Sequence, residues 1–352
     1  FFDDLKDIFP LDVKESLYRT LSTKGVNEHS QEQEAAFMEH LSPHEKRALG
    51  ILREGNDLYL SEYADLYASL KDINKGTKKF KAIQRDLGRV IEFLGDRMPH
   101  KYSKLEVNGF IKDRLAAGVT TGTVLRGFNS INAVLNKVND NYEIDYAHRF
   151  NKPNIPNLGN DRKERQDFTV EELNILRNKL GPTNNTDQLI KVALDTGMRV
   201  SEVLGLASKD VNLSDSHPYI KLRKNPFRPL KTKNSARVIP LIGLALDTIQ
   251  ELDLSQEWLF PKYLDQDKNN FKGDSASAAM NKRIRSILNN KQSPTSHSFR
   301  HTMQTRLRNV ECPADIREEI CGWKSSISKN YGSPTDIKIK ANYMRETLVN
   351  YC

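Results

Sequence analysis

Apolar positions recur at three- and four-residue intervals through much of the first half of this 352-residue chain. Tyr59, Leu60, Tyr63, Leu66 and Tyr67 fall on one helical face. Phe80, Ile83, Leu87, Val90, Ile91 and Leu94 do so again, in a basic segment that opens with Gly76-Thr77-Lys78-Lys79. Two further helices are predicted, from about Leu105 to Ala117 and from about Gly122 to Val138, with Gly118 suited to ending the first and Thr121 to capping the second. Together they make a compact bundle. The pattern breaks after Tyr146: the run Asn151-Lys-Pro-Asn-Ile-Pro-Asn-Leu-Gly-Asn160 cannot sustain a helix or a ladder, and it reads as a linker.

Beyond the linker the periods mix. Thr169 and Glu172 form a capping box ahead of Leu173, Ile175 and Leu176. Helices are predicted over 187–195, 243–252, 277–288, 301–310 and 314–321. Between the first two lie β-like runs, 219–223 and 236–240, joined by a polar basic turn, which is the pattern of a hairpin. The fold class is therefore mainly α with a small antiparallel β-hairpin. Its divisions are an acidic helical segment (1–55), a helical domain (56–150), a linker (151–167) and a mixed α/β domain with a C-terminal tail (168–352).

Composition narrows the function classes. No apolar run reaches the roughly 18–20 residues that cross a bilayer, so no membrane partner is expected. No charged-then-apolar leader is visible, and Cys312, Cys321 and Cys352 form neither a CxxC nor an even-numbered framework. A reduced, cytoplasmic protein is expected. The formal net charge of +8 makes a polyanionic partner plausible, and its distribution says more. Residues 1–50 are acidic, whereas 217–240 carry Lys221, Arg223, Lys224, Arg228, Lys231, Lys233 and Arg237 without a carboxylate. A second acid-free stretch, between Asp274 and Glu311, carries Lys282, Arg283, Arg285, Lys291, Arg300, Arg306 and Arg308. Two such segments in one half of the chain point to phosphate contacts.

Four local patterns can carry chemistry. In Thr196-Gly-Met-Arg-Val-Ser-Glu202 a helix ends at Gly197 and Arg199 opens the next, where its fork adds to an anion-binding end; pairing of Arg199 with Glu202 fits the same residues. In Lys231-Thr-Lys-Asn-Ser-Ala-Arg-Val-Ile-Pro240 a hairpin lysine can protonate a leaving oxygen when a cationic field lowers its pKa. In His297-Ser-Phe-Arg300 an imidazole and a guanidinium three residues apart share a helical side and can grip one phosphate. Gly322-Trp323 is followed by Tyr331, whose phenol is a poor nucleophile unless a base and a cationic phosphate pocket assist it.

In this order the patterns resemble the tyrosine recombinase (phage integrase) family. Thr-Gly-Met-Arg-Val-Ser-Glu-Val-Leu-Gly-Leu with Asp210-Val is similar to its first arginine box, and Lys-Thr-Lys-Asn-Ser-Ala-Arg-Val-Ile-Pro-Leu to its lysine hairpin. Ser296-His-Ser-Phe-Arg-His-Thr302 is similar to its second box, and Gln166-Asp-Phe-Thr-Val-Glu-Glu172 to the usual lead-in to its catalytic domain. The likeness covers about Arg165–Tyr331, half the chain, and the helical bundle fits the family's core-binding domain. Gly322-Trp323 stands where many members have Gly-His; an indole N–H donates the same hydrogen bond but cannot act as a base.

The resemblance implies a site-specific recombinase that integrates or excises a mobile element through a 3′-phosphotyrosyl intermediate, without cofactor or metal. Tyr331 is the implied nucleophile, with Tyr343 the alternative. Arg199 and Arg300 would hold the non-bridging oxygens, Lys231 (or Lys233) would be the general acid, His297 would assist proton transfer, Trp323 would complete the phosphate grip, and Glu202 would orient a neighbouring group. Lys78, Lys79, Lys224, Arg228, Lys233, Arg237, Lys282 and Arg283 are the expected DNA-binding cations. The implied partners are double-stranded recombination sites, a homo-tetramer on synapsed DNA built from free monomers or weak oligomers, and room for an accessory DNA-bending or directionality factor. The tail over 341–352 would dock on a neighbouring subunit or pack on its own domain. The acidic first segment argues against a phosphate grip there and suggests a protein contact. Type IB topoisomerase-like relaxation, or a DNA-binding regulator that has lost the reaction, are the alternative activities.

Overall fold

The computed structural model describes residues 58–162, 164, 166–228, 235–265, 270–323 and 333–349. The segment 1–55 and three assigned positions, Lys231, Lys233 and Tyr331, lie outside them. The chain divides into two compact units between 163 and 164.

The first unit is a bundle of α1 (Tyr63–Leu70), α2 (Lys78–Leu94), α3 (Lys104–Ala116) and α4 (Thr121–Asn141). Phe80, Ile83, Leu87 and Val90 of α2 are buried with Phe128, Ile131 and Leu135 of α4 in one core. Thr77 caps α2 by accepting the Phe80 N–H, and Ser103 with Glu106 forms a reciprocal box at α3. Lys78 and Lys79 are exposed on the first turn of α2. The cap of α4 is Thr120, with extended backbone, rather than the expected Thr121. Thr121 is otherwise engaged: its N–H and hydroxyl donate to Asp161 at 2.6 and 2.5 Å, and its oxygen accepts the Gly159 N–H at 3.0 Å. The first part of the expected linker has no helix or strand, yet it is anchored to the bundle through these bonds and through buried Ile155.

In the second unit α5 (Val170–Lys179) starts on the capping box read from the sequence, with Thr169 N–H to Glu172 Oε2 at 3.1 Å and Glu172 N–H to Thr169 Oγ1 at 3.2 Å. The central element is α6 (Asn185–Thr196), buried at every position from Asp187 to Thr196. A short α7 (Val200–Leu204) follows, then the three-stranded antiparallel sheet β1 (Val211–Asn212), β2 (Tyr219–Leu222) and β3 (Arg237–Pro240). In β2–β3, Leu222 sits opposite Arg237 and Tyr219 opposite Pro240. The remaining elements are α8 (Gly243–Glu251), the two-residue strands β4 (Leu264–Asp265) and β5 (Asn270–Phe271), α9 (Gly273–Leu288), α10 (Ser298–Asn309), α11 (Ala314–Cys321) and α12 (Ile337–Val349). The lead-in segment is clamped to α10 by stacking of Phe168 on Phe299 (centroids 4.4 Å) and by the Phe168 N–H to Thr302 Oγ1 bond of 2.9 Å. No helix among the described residues is long and apolar enough to cross a membrane.

The tail helix α12 packs on its own unit: Ala341, Met344 and Thr347 are buried, the Thr347 carbonyl accepts from Arg306, and Lys340 pairs with Glu319 at 2.6 Å. Arg306 in turn lies 3.7 Å from Asp195, a fully buried carboxylate at the end of α6. Arg177 of α5 pairs with both Asp195 oxygens, one of which also accepts the Leu244 N–H at 2.9 Å. One side chain thus ties together α5, α6, α8 and α10. Asp195→Ala removes the carboxylate facing buried Arg306 and is expected to destabilise the chain by about 3–5 kcal/mol, read as a lowered urea midpoint. Asp195→Asn, which keeps the shape, should lose less.

Candidate active site

The site is organised around a carboxylate. Glu202 lies on α7 and is 3% exposed. Arg199 occupies the cap position of that helix, so its own N–H donates to Glu202 Oε2 (2.9 Å) while its guanidinium donates to Oε1 (2.6 Å). The Arg199–Glu202 pairing legible in the sequence is therefore real, but it is largely buried rather than surface decoration. Arg237, at the start of β3, adds NH2 to Oε2 at 3.0 Å and NH1 to Oε1 at 3.3 Å. Arg300, on the first turn of α10, stands 3.9 Å from the same carboxylate.

Two helix ends hold Arg300. Gly197 terminates α6 and Gly322 terminates α11, both in left-handed conformation (φ 61° and 62°). Their carbonyls accept from Arg300 NH1 at 3.2 Å and NH2 at 3.3 Å. A side chain at either glycine would collide: a Cβ at Gly197 would lie 2.8 Å from Met303, and one at Gly322 would lie 2.7 Å from Arg237 NH1. His297 occupies the position just before α10 and is exposed; its ring lies 5.5 Å from that of His301, which lies 6.2 Å from Trp323. Trp323 is half-buried against the core, with its backbone N–H donating to the Glu318 carbonyl at 3.0 Å. The structure thus brings Arg199, Glu202 and Arg300 together, with His297 and Trp323 linked to them through α10 and the Gly322 turn.

The electrostatics follow from this packing. Burial opposes the charge on Glu202, but the Arg237 guanidinium beside it, that arginine's hydrogen bonds, the Arg199 N–H and the Arg300 charge prevail and hold it at about 2. Burial, reinforced by the neighbouring Arg237 and Arg199 charges, brings Arg300 down to about 10.

The expected DNA-binding cations divide. Lys224 and Lys282 are exposed. Arg228 is a correction: it is 3% exposed, with NH1 on the Glu202 and Gly205 carbonyls (2.8 and 2.7 Å) and NH2 on Arg223 O (2.5 Å), so it braces α7 from inside. Arg237 is likewise turned into the pocket instead of toward solvent. Arg283 is half-exposed but spans both oxygens of Asp187 at 2.8 and 2.9 Å, joining α9 to α6. Sequence reasoning missed the inward role of Arg237; the one available signal was its place at the start of a strand next to an apolar run.

The second unit thus gathers three arginines around one buried carboxylate, where helix ends and the start of a strand meet. Residues 169–333 match the model of the phage integrase family. It is 23% identical over 274 residues to transposase B from transposon PsiTn554 of Staphylococcus aureus; the match covers 72% of this chain but only 41% of that protein. Among solved structures, a Tn1549 transposon integrase in complex with transposon right end DNA shares the fold with a TM-score of 0.57 at 19% identity, covering 82% of this chain and 99% of that one. A lambda integrase tetramer bound to a Holliday junction does so with a TM-score of 0.58 at 15% identity, covering 84% and 87%.

The Glu202 charge makes a pH prediction. An unfolded glutamate binds its proton near pH ~4.3, whereas folded Glu202 does so only near 2. Its contribution is complete above the unfolded value and is lost as pH falls from there through the folded one. Wild type should therefore exceed Glu202→Gln by about 3 kcal/mol at neutral pH, and the two unfolding free energies, measured in urea, should converge towards pH 2.

Proposed function

We propose that this chain is a site-specific tyrosine recombinase that cuts and rejoins DNA by transesterification. The observation that carries the reading is the convergence of Arg199 and Arg300, 101 positions apart in sequence, on one buried carboxylate within the span that matches the phage integrase family model. In the proposed reaction the Tyr331 oxygen attacks the scissile phosphorus. A P–O bond to tyrosine forms as the bond to the 5′-oxygen breaks. The phenolic proton leaves with assistance from His297, and Lys231 (or Lys233) gives a proton to the departing 5′-oxygen. Arg199 and Arg300 take the non-bridging oxygens, with Glu202 fixing the first of them. Trp323 donates its indole N–H to the phosphate and packs beneath it. The phosphodiester energy is kept in the 3′-phosphotyrosyl bond, so rejoining needs no further energy source.

The substrate is double-stranded DNA at the ends of a mobile element, engaged by both units. Exposed Lys78 and Lys79 on α2, with Lys224 and Lys282 in the second unit, supply phosphate contacts. Strand exchange requires four copies on two synapsed sites; the lambda integrase relative was captured as a tetramer on a Holliday junction, which supports this assembly. An accessory DNA-bending or directionality factor would act on that complex, in the cytoplasm and on the nucleoid.

The test is a nicked suicide duplex carrying the element's end sequence. Wild type should accumulate a covalent adduct, and Tyr331→Phe should abolish it while leaving the Kd for the duplex within about threefold, since the phenol hydroxyl contributes little to phosphate binding. Tyr343→Phe, altered on α12 where the ring is half-buried against the core, should still form the adduct. An adduct that survives Tyr331→Phe transfers the role to Tyr343. Relaxation of supercoils without two-site exchange would make the protein topoisomerase-like, and binding without any adduct would make it a regulator.

A further inference from the structure

Arg237 differs from its two neighbours in where its donors go. Nε donates to Ile320 O at 2.8 Å, NH1 to Ser235 O at 3.0 Å and Glu202 Oε1 at 3.3 Å, and NH2 to Glu202 Oε2 at 3.0 Å. Its side chain is 4% exposed, against 23% for Arg199. A guanidinium has five N–H groups, and these bonds occupy four of them, so little remains for a substrate oxygen. It also fills the space above Gly322, whose carbonyl holds Arg300. One planar group therefore spans from α7 to the last turn of α11. It touches the carboxylate that orients Arg199 on one side and the turn that presents Arg300 and Trp323 on the other. Ser235, whose carbonyl it also holds, closes the segment that carries Lys231 and Lys233.

We propose that Arg237 is a positioning residue for the transfer reaction, fixing the spacing between the Arg199–Glu202 helix and the Gly322–Trp323 turn without contacting DNA. The inference rests on the recombinase reading. Its physical basis is rigidity: a fork bound on both edges cannot be replaced by a lysine, whose single nitrogen cannot serve two carboxylate oxygens and the Ile320 carbonyl together. Misplacing reacting groups by about 1 Å lowers a rate on the order of 10²-fold.

The experiment uses the full chain and the suicide duplex under single-turnover, saturating conditions. Arg237→Lys should slow adduct formation about 10²-fold and leave the Kd for the duplex within threefold. Arg237→Gln should slow it at least as much, and Arg237→Lys serves alone if the glutamine variant does not fold. The combined Arg237→Lys, Glu202→Gln protein should be no slower than the slower single variant, because both changes break one unit. Glu202 faces Arg199 from its own helix, Arg237 from β3, Arg300 from α10, and Arg228 and the Cys321 thiol nearby. Loosening Arg237 should therefore raise the pH at which Glu202 protonates and add, to whatever acid-side fall His297 gives the wild-type rate, a further step that wild type lacks. A role in stability alone would lower the melting temperature without moving that profile.

A wild-type rate for Arg237→Lys, an equal loss of binding and rate, or additive effects in the double variant would each overturn the proposal. If wild type itself forms no adduct, the recombinase reading fails first. The Glu202 carboxyl titration, followed by 13C NMR in wild type and Arg237→Lys without DNA, then decides the coupling separately. An unchanged Glu202 titration would sink it.

Discussion

The second unit depends on keeping one carboxylate charged where water does not reach it. Glu202 is buried, and a lone buried carboxylate would either take up a proton or unfold its surroundings. It does neither because Arg199 and Arg237 bond to it directly and Arg300 stands just beyond bonding distance. These three come from the start of α7, the start of β3 and the first turn of α10. Each supplies part of what offsets the burial of Glu202, so the requirement to satisfy that carboxylate fixes how three separate stretches of chain meet. Arg228 closes the arrangement from behind by holding the carbonyls of Glu202 and Gly205, which prevents α7 from turning.

The glycines in the two motifs serve the same end. A helix that ends at a left-handed glycine turns its last carbonyls away from the axis. At Gly197 and Gly322 the carbonyl of the glycine itself goes to Arg300. Neither position tolerates a Cβ, the first because of Met303 and the second because of Arg237. What looks in sequence like two helix stops is therefore a two-point mount for a guanidinium. It explains how an arginine 3% exposed can keep its orientation with only a long 3.9 Å approach to a carboxylate.

Much of this was legible beforehand because it is local. The helical faces of the bundle and the Thr169–Glu172 box depend on neighbours within a few residues, and β2 and β3 are each short apolar runs although their partners lie 15 to 21 positions apart; the structure places these elements within a few residues of the expected bounds. Arg199 is expected where a helix opens and stands at the cap of α7. His297 and Arg300 are expected on one helical turn and stand just before α10 and in its first turn; that helix starts three residues before the expected bound. Direction was not legible. Counting cations over 217–240 shows that charge accumulates there but not which way each side chain turns, so Arg228 and Arg237 were grouped with Lys224 on a solvent face. Strands of two to four residues, such as β1 and β3, give too few alternations to separate inside from outside. Thr120 displaced Thr121 as a cap for a similar reason: the competing partner, Asp161, is 40 residues away.

The charge around Glu202 also gives the pocket a direction of action. Three guanidinium groups surround one carboxylate, which leaves two positive charges unmatched among these four groups. Burial and the like charges of Arg237 and Arg199 bring the Arg300 guanidinium down to about 10. An anion beside these groups would offset the like charges, and a more highly charged anion would offset them further. A phosphodiester brings one negative charge, and the five-coordinate arrangement formed when a tyrosine oxygen adds to it brings about two. Under the recombinase reading the pocket is closer to balance at the top of the barrier than at the bottom. Arg237 would contribute its charge to this difference while leaving the phosphate contacts to Arg199 and Arg300. Binding to the reacting state then exceeds binding to the resting one, which is the condition for accelerating the step instead of merely holding the substrate.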